Sequence, residues 1–327
     1  MSFPSSGRFV RDFWQNLSNW DGGHYLAIAQ FGYSEDFQYA FFPLYPMLIR
    51  AVNYVFDNYL FSALLISLVS VYLLIQLLYR LIILDFDRKI SSKVIFNLLI
   101  FPTSFFFVTA YSESLFLLLT VATFYFTRKN KLFLATITAS LAGATRLVGL
   151  ATIFAFLIEV LVLWRIRKKN WYVFLSLIGF LIYSWYLYNQ TGDPFYFITA
   201  QNHWLRNLSV PGLGFLETFK NISTPQFLEK NFNALVDLAF AIFGLGLILR
   251  SFRFLPASYS IYSLISILLP LFTPTLFSMP RFLLPIFPIF IILSLVKNEK
   301  ILLFYQMLSI LLLSAFAILF INGYWVS

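Results

Sequence analysis

Apolar runs of about twenty residues, separated by short polar breaks, fill the chain from Tyr59 to its C-terminus. Each is long enough to cross a hydrocarbon core of about 30 Å. The pattern predicts membrane-crossing helices at 60–84, 94–109, 111–127, 131–146, 147–164, 171–189, 232–249, 256–273, 281–296 and 300–321. The expected fold is therefore an all-α polytopic membrane protein, a bundle of about 10 transmembrane helices forming a single integral membrane domain over 1–327. Within it, residues 1–58 read as an N-terminal interfacial region, 59–327 as the bundle, and 190–231 as a long loop.

The N-terminal region is patterned differently. Phe9, Val10, Phe13 and Trp14 give a weak amphipathic repeat. Asp21 to Gln30 predicts a short helix closed by Phe31-Gly32-Tyr33. Phe41 to Phe56 is apolar but carries Pro43 and Pro46, which predicts a broken interfacial or re-entrant segment. Pro102-Thr103-Ser104 should likewise break the preceding span near the surface. The first twenty residues hold no apolar core of a cleavable signal peptide.

Composition sharpens this reading. Of the 327 residues 60% are hydrophobic, 20% aromatic and only 11% charged, against about 25% charged in a soluble domain. The absence of cysteine excludes disulfides, thiolate metal sites and thiol catalysis. The net charge of +9 would suit nucleic acid, but its distribution excludes that partner. Fourteen of the 23 basic residues form five clusters between apolar runs: Arg88/Lys89/Lys93, Arg128/Lys129/Lys131, Arg165/Arg167/Lys168/Lys169, Arg250/Arg253 and Lys297/Lys300. Loops rich in Lys and Arg mark the cytoplasmic side, and all five clusters fall on one side of the expected topology. The other, extracytoplasmic, side receives Trp20–Pro46, the turn Tyr111-Ser112-Glu113-Ser114, Arg146, the 190–231 loop, the 277–282 segment and the tail after Asn322.

Most residues with chemical capacity thus gather on one face. Asp21 reads either as a helix N-cap or as a general base tuned by burial and neighbours. Gly22 and Gly23 would admit a close backbone or ligand, and Trp20 suits a membrane interface. His24 shares a helix face with Asp21 and serves as an interfacial hydrogen-bonder or as part of a site. Glu113 sits between apolar runs, where a charge is costly unless it lies in a turn. Arg146 and Arg281 lack the like-charged neighbours of the cytoplasmic clusters, so each either binds an anion such as phosphate or pairs with Glu113, Asp193 or Asp237. Asp193 before Pro194 reads as turn chemistry. Gln201, His203, Trp204 and Arg206 offer hydrogen bonds and a stacking face suited to sugars and phosphates. Asn-x-Ser sequons stand at Asn16, Asn207 and Asn221. With two histidines in the chain a histidine-rich metal site is impossible; a carboxylate-held divalent ion is open but not indicated.

Together these segments resemble the PIG-V type mannosyltransferases of the GT-C superfamily. The resemblance rests on Trp20-Asp21 with His24, Ile28-Ala29 and Gly32-Tyr33, on Ala40-Phe41-Phe42-Pro43 with Tyr45-Pro46, and on Pro102 through Tyr111-Ser112-Glu113-Ser114. It continues with Ala144 through Arg146 and Gly149, and Ser278 through Arg281-Phe282. It implies a GT-C-like bundle and transfer of mannose, or a similar hexose, from a polyprenyl-phosphate sugar to an acceptor hydroxyl on a lipid, glycan or protein. It also implies that Asp21, in the first extracytoplasmic loop, is the base of an inverting reaction. No nucleotide cofactor is required. Arg281, Arg146, His203 and Arg206 are the expected donor-phosphate ligands. Trp20, His24, Tyr45, Glu113, Gln201 and Trp204 are the expected substrate-binding residues. The family carries a transmembrane helix ahead of the Trp-Asp motif that this chain lacks. Either the chain starts late or its N-terminus lies outside, and ten spans with both ends outside follow literally.

The rival reading is a flippase of a lipid-linked sugar. Such transporters place charges near the bilayer midplane, whereas here Glu159 and Asp237 are the only acids expected within spans. The expected partners are membrane lipids, the lipid-linked donor and its acceptor, with no nucleic acid. Short loops favour a bacterial or archaeal cell membrane over the endoplasmic reticulum.

Overall fold

The computed structural model describes residues 13–163, 168–204, 206–222 and 232–326. Phe9, Val10, Arg165 and Arg167 of the expectations above lie outside them. Every regular element among the described residues is helical. Four helical stretches are long and apolar enough to cross a membrane: Tyr59–Ile82, Asn170–Thr191, Asn233–Phe254 and Glu299–Ile321. Shorter apolar helices include Leu132–Thr145, Gly149–Val162 and Ala257–Leu271. On Glu299–Ile321 the outward face is Ile301, Phe304, Met307, Leu308 and Leu311, all exposed. An apolar stripe of that length is a lipid-facing surface, since soluble proteins do not leave one uncovered. The chain is an integral membrane protein.

Two expected spans are broken, each at proline. The 94–109 run is an α-helix, Arg88–Leu99, followed by a turn at Pro102 and a 3-10 turn, Ser104–Val108. The 281–296 run divides at Pro285 into Met279–Leu283 and Phe287–Ser294. The broken pieces pack against each other in the core. Asn97 donates to Ser294 Oγ at 3.0 Å and accepts from Gln306 at 3.0 Å. Thr103 donates to the Pro280 carbonyl at 3.0 Å. Phe287–Ser294 is buried at every position, as a helix apolar all round must be.

At Pro43 and Pro46 the expectation of a break is corrected. A continuous helix, Leu44–Phe56, starts there, with Pro43 at its N-cap and Pro46 in its first turn. Proline is tolerated in a first turn because its missing N–H has no intrahelical partner there.

The helix Glu113–Arg128 runs through the middle of the bundle, and twelve of its side chains are buried. It packs on Tyr59–Ile82 and Leu132–Thr145. Its two ends carry different charge clusters, roughly 22 Å apart at 1.5 Å per residue. At the Arg128 end, Arg128 holds Asp85 through both guanidinium nitrogens. The Glu113 end holds the site described next. Gly149 secures the return of the chain there, because a Cβ on it would lie 2.2 Å from the Ala142 carbonyl oxygen.

Candidate active site

The expected helix is present as Asp21–Phe31, ended by Gly32 at φ 81°. Asp21 is its first residue and does not cap it; the N-cap position is Trp20, whose backbone is left-handed at φ 59°. That geometry is strained for a bulky residue. It persists because the flanking chain is pinned: Ala110 N–H donates to the Leu17 carbonyl at 3.0 Å, and Tyr111 O–H to the Asn19 carbonyl at 2.8 Å. Gly22 answers the question left open by its sequence. A Cβ there would sit 3.3 Å from the Tyr111 ring and 3.4 Å from the Ala110 carbonyl, so it admits backbone.

The carboxylate of Asp21 points at Arg281. Arg281 Nη1 lies 2.6 Å from Asp21 Oδ2, and Arg281 Nε lies 2.6 Å from Glu113 Oε1. Arg146 Nη1 reaches the same Glu113 oxygen at 2.6 Å and donates to Ser112 Oγ at 3.3 Å. Ser112 in turn shares a hydrogen bond of 2.8 Å with Tyr25. The result is a chain of charges, Asp21–Arg281–Glu113–Arg146, closed beneath the first turn of the Asp21 helix. Glu113 is 1% exposed and Arg281 is 7% exposed, so these pairs act in a medium where water screens them little. Rings cover the guanidinium of Arg281, with Tyr111 at 4.7 Å and Phe106 at 5.0 Å, the geometry of a cation–π contact.

Arg206 stands beside this chain without belonging to it. It donates to the Phe277 carbonyl at 3.1 Å and lies 4.7 Å over the Phe282 ring. Among the described residues no carboxylate is within ion-pair distance of it. Burial, with Arg281 adding, pushes its guanidinium down to about 10. An anion arriving here would reverse that penalty.

An aromatic wall forms the other side. His24 packs against Phe37 at 5.2 Å, Phe41 at 5.3 Å and Trp204 at 6.3 Å. His203 stacks on Phe37 at 4.3 Å. Burial lowers the His24 imidazole below its usual value; Asp21 opposes this and His203 adds to it. A histidine depressed on folding stabilises the fold fully above its ordinary value of 6.5, and that contribution is lost as pH falls through the folded value. Thermal unfolding in detergent should therefore show a mild-acid loss of stability below about pH 6.5 that His24→Gln removes; an unchanged slope in the variant would assign the loss elsewhere.

Of the expected site residues, Asp21, His24, Glu113, Arg146, His203, Trp204, Arg206 and Arg281 thus come together. Gln201 heads the turn that carries His203 and Trp204 but makes no side-chain hydrogen bond among the described residues. Trp20 turns away to meet Trp325 at 5.2 Å. Tyr45 stands apart from this group: it is fully buried, with its hydroxyl 3.1 Å from the Ala63 carbonyl and 2.9 Å from Ser67 Oγ. Among the alternatives for the lone arginines, Glu113 is the partner; Asp193 instead accepts the Phe195 N–H at 2.8 Å, as turn chemistry requires. Among the described residues no three His, Cys, Asp or Glu side chains gather at metal-binding spacing.

One residue in the site's support had only a faint sequence signal. Asp237 is an acid within an apolar run, where a charge marks a specific task. It is 1% exposed and accepts the Met279 N–H at 3.0 Å. This fixes the start of Met279–Leu283 just after Ser278, which is left-handed at φ 67°. Asp237 therefore positions Arg281. Asp237→Ala should lower kcat about tenfold or more, while Asp237→Asn, which keeps an acceptor, should retain most activity; equal loss in both would mean that the charge itself matters.

The bundle thus draws carboxylates and arginines from five separate segments of a membrane protein to one point. A family model described as Mannosyltransferase (PIG-V) matches residues 3–191, more than half the chain, and the chain belongs to that family. It is a glycosyltransferase of the mannosyltransferase type. The matched segment includes Asp21, Glu113 and Arg146 and stops short of Arg206 and Arg281. No curated protein and no solved structure matches the chain.

Proposed function

We propose that this enzyme moves a mannose, or a similar hexose, from a polyprenyl-phosphate sugar to an acceptor hydroxyl at the extracytoplasmic face, with inversion at the anomeric carbon. The observation that carries this reading is Arg281 held between Asp21 and Glu113 with Arg206 alongside. Three arginines, Arg281, Arg146 and Arg206, supply the cationic groups that the negative charge of a phosphodiester donor requires.

The acceptor oxygen attacks the anomeric carbon as the bond from that carbon to the phosphate oxygen breaks. The acceptor's proton goes to Asp21, and polyprenyl phosphate leaves with the bonding electrons. Arg281 and Arg206 stabilise the charge that grows on the phosphate, with His203 at the rim. Arg146 holds Glu113, which keeps Arg281 in place. In the free site Asp21 is a weak base. Burial raises its pKa, but the Arg281 ion pair, with His24 and Arg206, brings the net value below normal. Once a donor phosphate takes a share of Arg281, burial dominates and the carboxylate becomes a stronger base. The aromatic wall of Phe37, Phe41 and Trp204 offers the faces on which a sugar stacks. Short loops support a bacterial or archaeal cell membrane as the setting.

The test is to incubate the purified protein in detergent with labelled polyprenyl-phosphate mannose and a hydroxyl acceptor, and to read the product's anomeric configuration by NMR. Covalent transfer with inversion is expected. Transfer from a nucleotide sugar alone, or retention of configuration, sinks the reading.

A further inference from the structure

A second feature lies at the far end of the Asp21–Phe31 helix. An open cavity of about 300 Å³ is lined by residues including Ile28, Met47, Ile182, Tyr183, Tyr186 and Arg50. Its walls are the Asp21–Phe31, Leu44–Phe56 and Ile178–Thr191 helices. The surface around it is largely apolar and exposed. On Leu44–Phe56 the exposed positions Met47, Arg50, Ala51 and Tyr54 follow helical spacing, and Arg50 is the only charge in that helix. Across the groove Ile182 is 58% exposed.

Arg50 is fixed in this setting. Its Nε donates to the Ala29 carbonyl at 2.6 Å and its Nη2 to the Ile28 carbonyl at 3.4 Å, which satisfies the last turn of the Asp21 helix. Among the described residues its Nη1 has no protein partner, and no carboxylate pairs with it. An exposed guanidinium with an open donor and no paired carboxylate is free to take an anion. A cation held in one orientation beside an apolar groove is complementary to a molecule with an anionic head and an aliphatic chain.

We propose that this groove is a binding site for an anionic membrane lipid, its headgroup phosphate on Arg50 and one chain along Ile28, Met47 and Ile182. This is not the donor's phosphate site. Ala29 is eight residues along the helix from Asp21, roughly 12 Å, so one phosphate cannot touch Arg50 and the Arg281 cluster together. The site stands whether or not the donor reading holds. Its occupant is a resident phospholipid rather than a substrate, since the groove lies apart from the charge cluster.

The experiment is native mass spectrometry of the full chain in mild detergent, titrated with phosphatidylglycerol and, separately, with zwitterionic phosphatidylcholine. The wild-type protein should take up one phosphatidylglycerol in preference to phosphatidylcholine. Arg50→Gln should weaken phosphatidylglycerol binding about tenfold, the weight of one charge-assisted hydrogen bond, and leave phosphatidylcholine unchanged. Ile182→Trp, which fills the groove from its exposed side, should weaken both; it decides alone should Arg50→Gln unfold. Transfer kinetics of Arg50→Gln should be unchanged; a raised acceptor KM at constant kcat would assign the groove to the acceptor and overturn the proposal. Equal uptake of the two lipids by wild type, or undiminished phosphatidylglycerol on a folded Arg50→Gln protein, overturns the proposal.

Discussion

Asp21→Asn should lower sugar transfer by about a hundred- to ten-thousand-fold, the range a positioned general base contributes, while the protein still inserts and binds donor. Asparagine keeps the size of the side chain and can still accept from Arg281, so the start of the helix has no reason to move. Arg281 also keeps Glu113, 2.6 Å from its Nε, so removing one carboxylate does not leave Arg281 unpaired. What the variant lacks is a group to receive the acceptor's proton. Single-turnover measurement with labelled polyprenyl-phosphate mannose isolates that step. A variant that binds donor and transfers at the wild-type rate would remove Asp21 from the base role.

Arg281→Gln should be the most damaging single change, because it acts on both fold and chemistry. Breaking a buried ion pair by deleting one partner costs about 3–5 kcal/mol. Glu113 would retain Arg146, but Asp21 would be left without its principal counter-charge. Transfer should fall by about a hundred- to a thousand-fold, the usual loss for one preorganised charge-stabilising donor. The pH dependence separates the two effects. In the wild-type protein Asp21 is depressed on folding, so its contribution is complete above the ordinary value of 3.8 and is lost as pH falls through the lower folded value. Without Arg281, burial is the leading influence and raises the carboxyl. Its folded pKa then lies above the unfolded one, and acidification through that window should stabilise the variant. Unfolding temperatures of the two proteins in detergent, followed from neutral to acid pH, should diverge in opposite directions. Parallel curves would mean that Asp21 does not depend on Arg281.

Much of this was legible in the sequence for simple reasons. Apolar runs fix helices in lipid, because every backbone group must be satisfied within its own segment. Isolated arginines outside the basic loops stood out against the charge bias, and Arg146 and Arg281 both proved to converge on Glu113. The prolines were read less well. Pro43 and Pro46 start a helix because they fall in its first turn, a position that depends on where the preceding chain turns. Pro285 divides the 281–296 run because it has no N–H to donate and its ring clashes with the preceding turn, a local signal that the long apolar run masks. Tyr45 sits in a family-like block but is buried, and only its contacts with Ala63 and Ser67 reveal this. Asp237 was visible as a misplaced charge, yet its task required knowing that the Met279 N–H faces it.

The ion pair between Asp21 and Arg281 joins positions 260 residues apart, and Asn19 is tied to the Phe320 carbonyl in the C-terminal helix. This imposes an order on how the enzyme comes into being. The helix bearing Asp21 is synthesised well before its counter-charge, which follows 260 residues later. Until then the nascent chain carries that carboxylate without the arginine that pairs with it in the finished fold.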